Sequence, residues 1–185
     1  MSFMHKVPEA MKSSENHPIK GAVHVDESVL GGQEACHIGR SYGGKKKKVV
    51  GVVELTEAGK VKRFYALQIK DFSAKSLRPI FDHHIDKVAR VTTDEWKGYL
   101  PISKDYTIKQ IPSELGLNFK AIHTMIHKVK IWLQTTYSWV SKKHTDRYLS
   151  EFSYRINRSQ NKKTIFHNLI NRMVKAEKIY IQNMI

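Results

Sequence analysis

Asp26 lies in Val-His-Val-Asp-Glu-Ser-Val-Leu-Gly-Gly (23–32), where valines alternate with polar residues at the period of a half-buried strand. Strand propensity does not favour an aspartate there, and its carboxylate costs desolvation unless a cation or a donor meets it. On its own it also fits a solvent-facing place on an edge strand. A second carboxylate, Asp94, follows Arg-Val-Thr-Thr (90–93), at the C-terminal end of another predicted strand, where open α/β sheets hold their ligands. Two such carboxylates brought together repel and call for a cation. Hard oxygen donors suit Mg²⁺ or Mn²⁺. His123, His127 and Lys130 follow at i, i+4 and i+7 and share one stripe of a helix. A separate stripe of Ile122, Ile126, Val129 and Leu133 would pack that helix on a sheet. The two histidines also have the spacing of a zinc pair, yet Thr124 stands where His-Glu-x-x-His needs its glutamate.

The elements that must position these groups follow from periodicity. A strand over 21–30 is followed by a Gly/Lys-rich loop over 39–48, whose Arg40, Lys45, Lys46, Lys47 and Lys48 are candidate contacts to a phosphate backbone. Apolar β-branched runs at 49–55 and 61–69 predict a hairpin closed by Thr56-Glu57-Ala58-Gly59-Lys60, completing an antiparallel meander. Ser73 is the expected N-cap of a helix running to residue 85. Short strands are expected at 89–93 and 106–111, then helices over 118–134, 141–157 and 162–180. Residues 4–11 suggest the end of a helix and 13–18 a linker. The resulting order, β-β-β-α-β-β and then helices, matches a ribonuclease H-like α/β fold. That fold is a mixed five-stranded sheet flanked by helices, here with a helical C-terminal extension. Residues 1–20 are read as a linker or remnant, 21–160 as the ribonuclease H-like domain and 161–185 as a C-terminal helix.

Composition limits the function classes. The 185 residues, 41% of them hydrophobic, suffice for one domain with a real core. No apolar run approaches a membrane span, and the polar first 20 residues lack the core of a signal peptide. The single cysteine, Cys36, excludes an intrachain disulfide and a Cys-pair zinc site. A reducing cytoplasm, beside the nucleoid, is the expected location. Lys plus Arg outnumber Asp plus Glu by 32 to 17, a net charge of +15, which fits a polyanionic partner.

Four segments in order carry a resemblance: Val-His-Val-Asp-Glu-Ser-Val-Leu-Gly-Gly, Lys-Val-Val-Gly-Val-Val-Glu, Thr-Thr-Asp-Glu-Trp-Lys-Gly-Tyr and Arg-Tyr-Leu-Ser-Glu-Phe-Ser-Tyr-Arg-Ile-Asn-Arg. Together they resemble bacterial insertion-sequence transposases of the ISXO-like branch, within the ribonuclease H-like acidic-triad superfamily. The resemblance implies divalent-metal-dependent DNA cleavage and strand transfer at a two-metal site, with DNA as partner and a homo-oligomer as the active form. It places the first two metal-binding acids at Asp26 and Asp94. The third position, usually glutamate, falls at His123, with His127 as the alternative one turn on, and Lys130 as the DNA-contacting basic residue. An imidazole there shifts the expected metal preference toward Mn²⁺. Such transposases usually carry an N-terminal zinc ribbon and helix-turn-helix, of which residues 4–12 resemble only the tail. The chain is therefore read as lacking them. A catalytically inactive DNA-binding remnant and a nuclease without strand transfer are the alternatives. Glu27 and Glu95 are assigned structural roles, with support of a metal ligand as the minor reading, and Trp96 is assigned to core packing.

Overall fold

A computed structural model describes residues 3–31 and 46–176. Helix α1 (Phe3–Met11) precedes strands β1 (Ala22–Leu30), β2 (Lys47–Leu55) and β3 (Val61–Ile69), and α2 (Ala74–His84) follows. Strand β4 (Arg90–Thr93), two short 3₁₀ turns and strand β5 (Ile108–Gln110) lead into helices α3 (Lys120–Thr136), α4 (Thr145–Asn157) and α5 (Ile165–Lys175). The five strands form one mixed sheet in the order β3-β2-β1-β4-β5. The first three strands make the antiparallel meander, while β4 and β5 are added parallel to β1. This is the mixed α/β sheet expected from the sequence.

The period of two decides which residues face which helix layer. Val23 and Val25 of β1, with Val50 and Val52 of β2, bury against Leu77, Ile80 and Phe81 of α2. Val49, Val53, Phe64 and Ala66 face the other layer, where Ile122, Met125, Ile126, Val129 and Leu133 of α3 and Leu149 and Phe152 of α4 cover them. Six consecutive residues of β2 are buried, as a central strand covered on both faces requires. The N-cap at Ser73 forms as expected, its side chain accepting from the Ser76 amide. Among the described residues no helix is long and apolar enough to cross a membrane.

The free rim of β3 is closed by side chains of α4. Asn157 Oδ1 accepts from the Phe64 amide at 2.7 Å and Asn157 Nδ2 donates to the Phe64 carbonyl at 2.9 Å. Asp146 Oδ1 accepts from the Gln68 amide at 2.6 Å. Three backbone groups of an edge strand that would otherwise offer themselves to another chain are thereby satisfied.

Several boundaries differ from expectation, each for a local reason. Helix α3 starts at Lys120 rather than 118, because Leu115 and Gly116 adopt positive φ values of 54° and 91° and kink the preceding turn. The helix expected from 141 starts as a 3₁₀ turn over Lys142–His144, capped by Ser141, whose hydroxyl accepts from the His144 amide at 3.2 Å. Helix α5 spans Ile165–Lys175; the rest of the helix expected to 180 lies outside the described residues. Strand β5 keeps only three residues, and Lys47 and Lys48 belong to β2 rather than to the preceding loop.

Candidate metal centre

Strand β1 outruns its parallel neighbour. Pairing with β4 ends at His24–Thr92, so Asp26 and Glu27 project past the last rung, where the chain turns away after Thr93. Asp94 sits at that turn. One of its carboxylate oxygens, Oδ1, accepts from the Trp96 amide at 3.1 Å, and Gln110 Nε2 donates to the carbonyls of Asp94 and Trp96, both at 3.0 Å. The strand end is thus fixed from β5. One carboxylate oxygen from each of Asp26, Glu27 and Asp94 falls within 4.8 Å of the others; Asp26 and Asp94 are half-buried and Glu27 is buried. Asp26 Oδ1 also accepts from the Glu27 amide at 2.9 Å.

Helix α3 brings the imidazole. His123 Nε2 lies 2.9 Å from Asp26 Oδ2. A carboxylate can only accept, so Nε2 is the nitrogen that carries the proton. Two glycines lie against these elements. Gly51, opposite Asp26 in β2, leaves room for Phe64 and Ile126, which a Cβ would meet at 3.3 and 3.8 Å. A Cβ on Gly116 would stand 2.6 Å from His123 Nδ1, so the kink before α3 is also the backstop of the ring. On the same face of β1, His24 sits edge-on to Phe119 at 5.3 Å, and burial lowers its pKa. It brings no positive charge to Asp26 near neutral pH.

Tyr99 closes the site from the α2 side. It is fully buried, and desolvation, with the carboxylates of Glu27, Asp26 and Asp94 adding to it, holds its hydroxyl well above the ordinary phenol pKa. Toward those acids it can act only as a proton-bearing donor. Its turn depends on Gly98, where a Cβ would fall 2.5 Å from Trp96 Nε1 and 2.7 Å from the Phe72 carbonyl. That gap lets Trp96 Nε1 donate to the Phe72 carbonyl at 2.8 Å.

The ISXO2-like transposase domain family matches residues 18–157, a span that takes in the whole sheet, α3 and α4. The chain belongs to this family. No curated protein and no solved structure matches it. Within this ISXO2-like transposase domain, the segments that carried the resemblance divide by what they build. Thr-Thr-Asp-Glu-Trp-Lys-Gly-Tyr builds the acidic strand end. Arg-Tyr-Leu-Ser-Glu-Phe-Ser-Tyr-Arg-Ile-Asn-Arg is structural: Arg147 Nε donates to Glu9 at 3.0 Å, Glu151 accepts from the Tyr137 hydroxyl at 2.7 Å and from Arg155, and Asn157 closes the sheet rim. Glu54 of the second segment is buried and paired with Lys62 and Arg63, far from any need for a metal.

The remaining predicted residues separate. His127 is exposed one turn beyond His123, whereas His123 is the imidazole beside Asp26. Lys130 is half-buried, and its pKa is lowered by burial and by Lys46, with Asp26 acting in the opposite sense. Lys47 and Lys48 lie on opposite faces of β2, because a strand sends successive side chains to opposite sides. Lys47 shares a groove with Lys130, while Lys48 lies over the Phe72 ring at 5.8 Å, on the other face. Arg40 and Lys45 lie outside the described residues. Glu27, assigned to structure from the sequence, stands beside Asp26 and Asp94, and Tyr99 and Gly116, not singled out there, border them and His123. The signals were a second acid directly after Asp26, a Gly-Tyr pair close after Asp94 and a glycine shortly before the helix.

Proposed function

We propose that this domain cleaves and joins DNA phosphodiester bonds, as the catalytic part of an insertion-sequence transposase. Asp26 and Asp94 are its metal-holding acids, His123 the third member of the set and Glu27 a further carboxylate in reach. The observation that carries the reading is the meeting of Asp26, Glu27 and Asp94 within 4.8 Å at a strand end that faces a basic helix. The donor set fits a hard dication: it is dominated by carboxylate oxygens, and three acids so close together are mutually destabilising without a positive charge. Mg²⁺ or Mn²⁺ bound there would activate the attacking oxygen and stabilise the leaving one in a phosphoryl displacement.

The residues divide the remaining work. As it stands, His123 fixes Asp26 through the same Nε2 that would serve as ligand. Asp94 is oriented by the Trp96 amide and Gln110. Tyr99, its hydroxyl kept protonated by burial beside these acids, could only donate toward them. Lys130, seven residues after His123 and so about 10 Å along α3, holds a phosphate next to the reacting one.

Asp26→Asn and Asp94→Asn test this directly. Each should abolish Mn²⁺-dependent nicking of plasmid DNA and the formation of joined products. Each should also remove the rise in melting temperature that Mn²⁺ gives the parent chain, while DNA binding in chelator stays within about twofold. Unchanged nicking in either variant defeats the proposal. Nicking without joined products would assign a nuclease instead.

A further inference from the structure

A groove of about 360 Å³ opens beside Lys130, lined among others by Lys47, Gln134, Tyr137 and Trp139. Of the three tryptophans, Trp96 is tied to the Phe72 carbonyl and Trp132 packs on Tyr137 and Phe152 at ring distances of 5.3 and 5.5 Å. Trp139 is 77% exposed. Core packing therefore explains two indoles and not the third, which stands on the irregular segment after α3.

We infer that this groove is a binding site for an unpaired nucleobase of a DNA strand, with Trp139 as its stacking platform. The inference rests on the reading of the domain as a DNA-transferring enzyme. Charge complementarity selects the occupant. Lys47 and Lys130 line the groove, and burial, with Lys46 adding to it, disfavours the Lys130 charge, so a phosphate entering there supplies the countercharge these lysines call for. An aromatic face beside lysines suits single strands, because only an unstacked base offers it a π-surface. Gln134 supplies an amide that can donate to and accept from a base edge. The groove begins at Lys130, on the helix that carries His123, so the base it holds belongs to a nucleotide near the reacting phosphate.

The test is binding, in chelator, of a short oligothymidylate and of the same strand as duplex, followed by tryptophan fluorescence and anisotropy on the full chain. The single strand should quench the emission of the parent. Trp139→Ala should lose that quench and bind the single strand roughly ten- to a hundredfold more weakly. Trp139→Phe should recover most of the affinity, and duplex affinity should change less than about twofold in both. Equal losses on single strand and duplex would overturn the inference, as would no loss on either. Quenching that depends on protein concentration without DNA would assign the indole to contact between two copies, and would overturn it too. Asp26→Asn should bind the oligonucleotide as the parent does. Loss of the stacking result and loss of the cleavage result are thus read in separate assays.

Discussion

Gly116→Ala should disable the proposed site without altering any of the groups assigned to its chemistry. Gly116 has a φ of +91°, and a Cβ there would lie 2.6 Å from His123 Nδ1. Ordinary contact begins at 3.4 Å, so the ring must retreat by about 0.8 Å, the difference of the two. The 2.9 Å approach of Nε2 to Asp26 does not survive such a move in its present geometry. Misplacement on this scale costs about a hundredfold in rate, and the left-handed backbone costs about 1–2 kcal/mol of stability. For a chain of this size that is a fall of roughly 2–8 °C in melting temperature. Gly59→Ala is the matched control: its φ is +71° and nothing lies within 4 Å of its Cβ. Both variants should lose similar stability in thermal melts, while Mn²⁺-dependent nicking falls about a hundredfold only in Gly116→Ala. Equal nicking rates in the two variants would refute the argument that Gly116 sets the position of His123.

Three further outcomes are expected. Asn157→Ala leaves the amide and carbonyl of Phe64 without partners and should cost about 2–4 kcal/mol; a shift in urea midpoint worth less than about 0.5 kcal/mol would contradict the rim-closing role. His84, stacked on Tyr65 at 4.3 Å, has its pKa pushed down to about 4 by burial. Its neutral form is favoured in the fold, so stability is full above the unfolded pKa of about 6.5 and falls toward pH 4 by roughly 3 kcal/mol. The acid-induced drop in melting temperature between about pH 7 and about pH 4.5 should therefore shrink in His84→Phe, and an unchanged drop would remove His84 as its source. Lys130→Ala should weaken duplex binding across sequences and lower the slope of log affinity against log salt by about one; an unchanged slope would deny Lys130 a phosphate contact.

Much of this was legible in the residues because the signals are local. Alternating valines place β1, the Thr56–Lys60 turn places the hairpin, and Ser73 marks its helix. Asp26 stands out as an acid inside a strand, where propensity disfavours it, and Asp94 as an acid directly after one. What stayed hidden depends on long-range contact. Glu27 belongs with the acids only because β1 extends past the end of β4, a register no single strand announces. Tyr99 reads as an ordinary core aromatic until its turn is packed under the acids. The lysine run read as one basic loop, whereas the alternation of β2 sends Lys47 and Lys48 to opposite faces. Asn157 carries no periodic signal, and its purpose appears only once α4 lies along β3.

That last contact has a cost in time. Phe64 and Asn157 are 93 residues apart, so a ribosome working at about 5–20 residues per second finishes β3 some 5–20 s before its partner is made. During that interval the newborn chain carries a bare strand margin open to other nascent chains, and the risk of misassembly is concentrated there. Slowing synthesis between the two positions should lower the yield of native protein more than slowing it after Asn157.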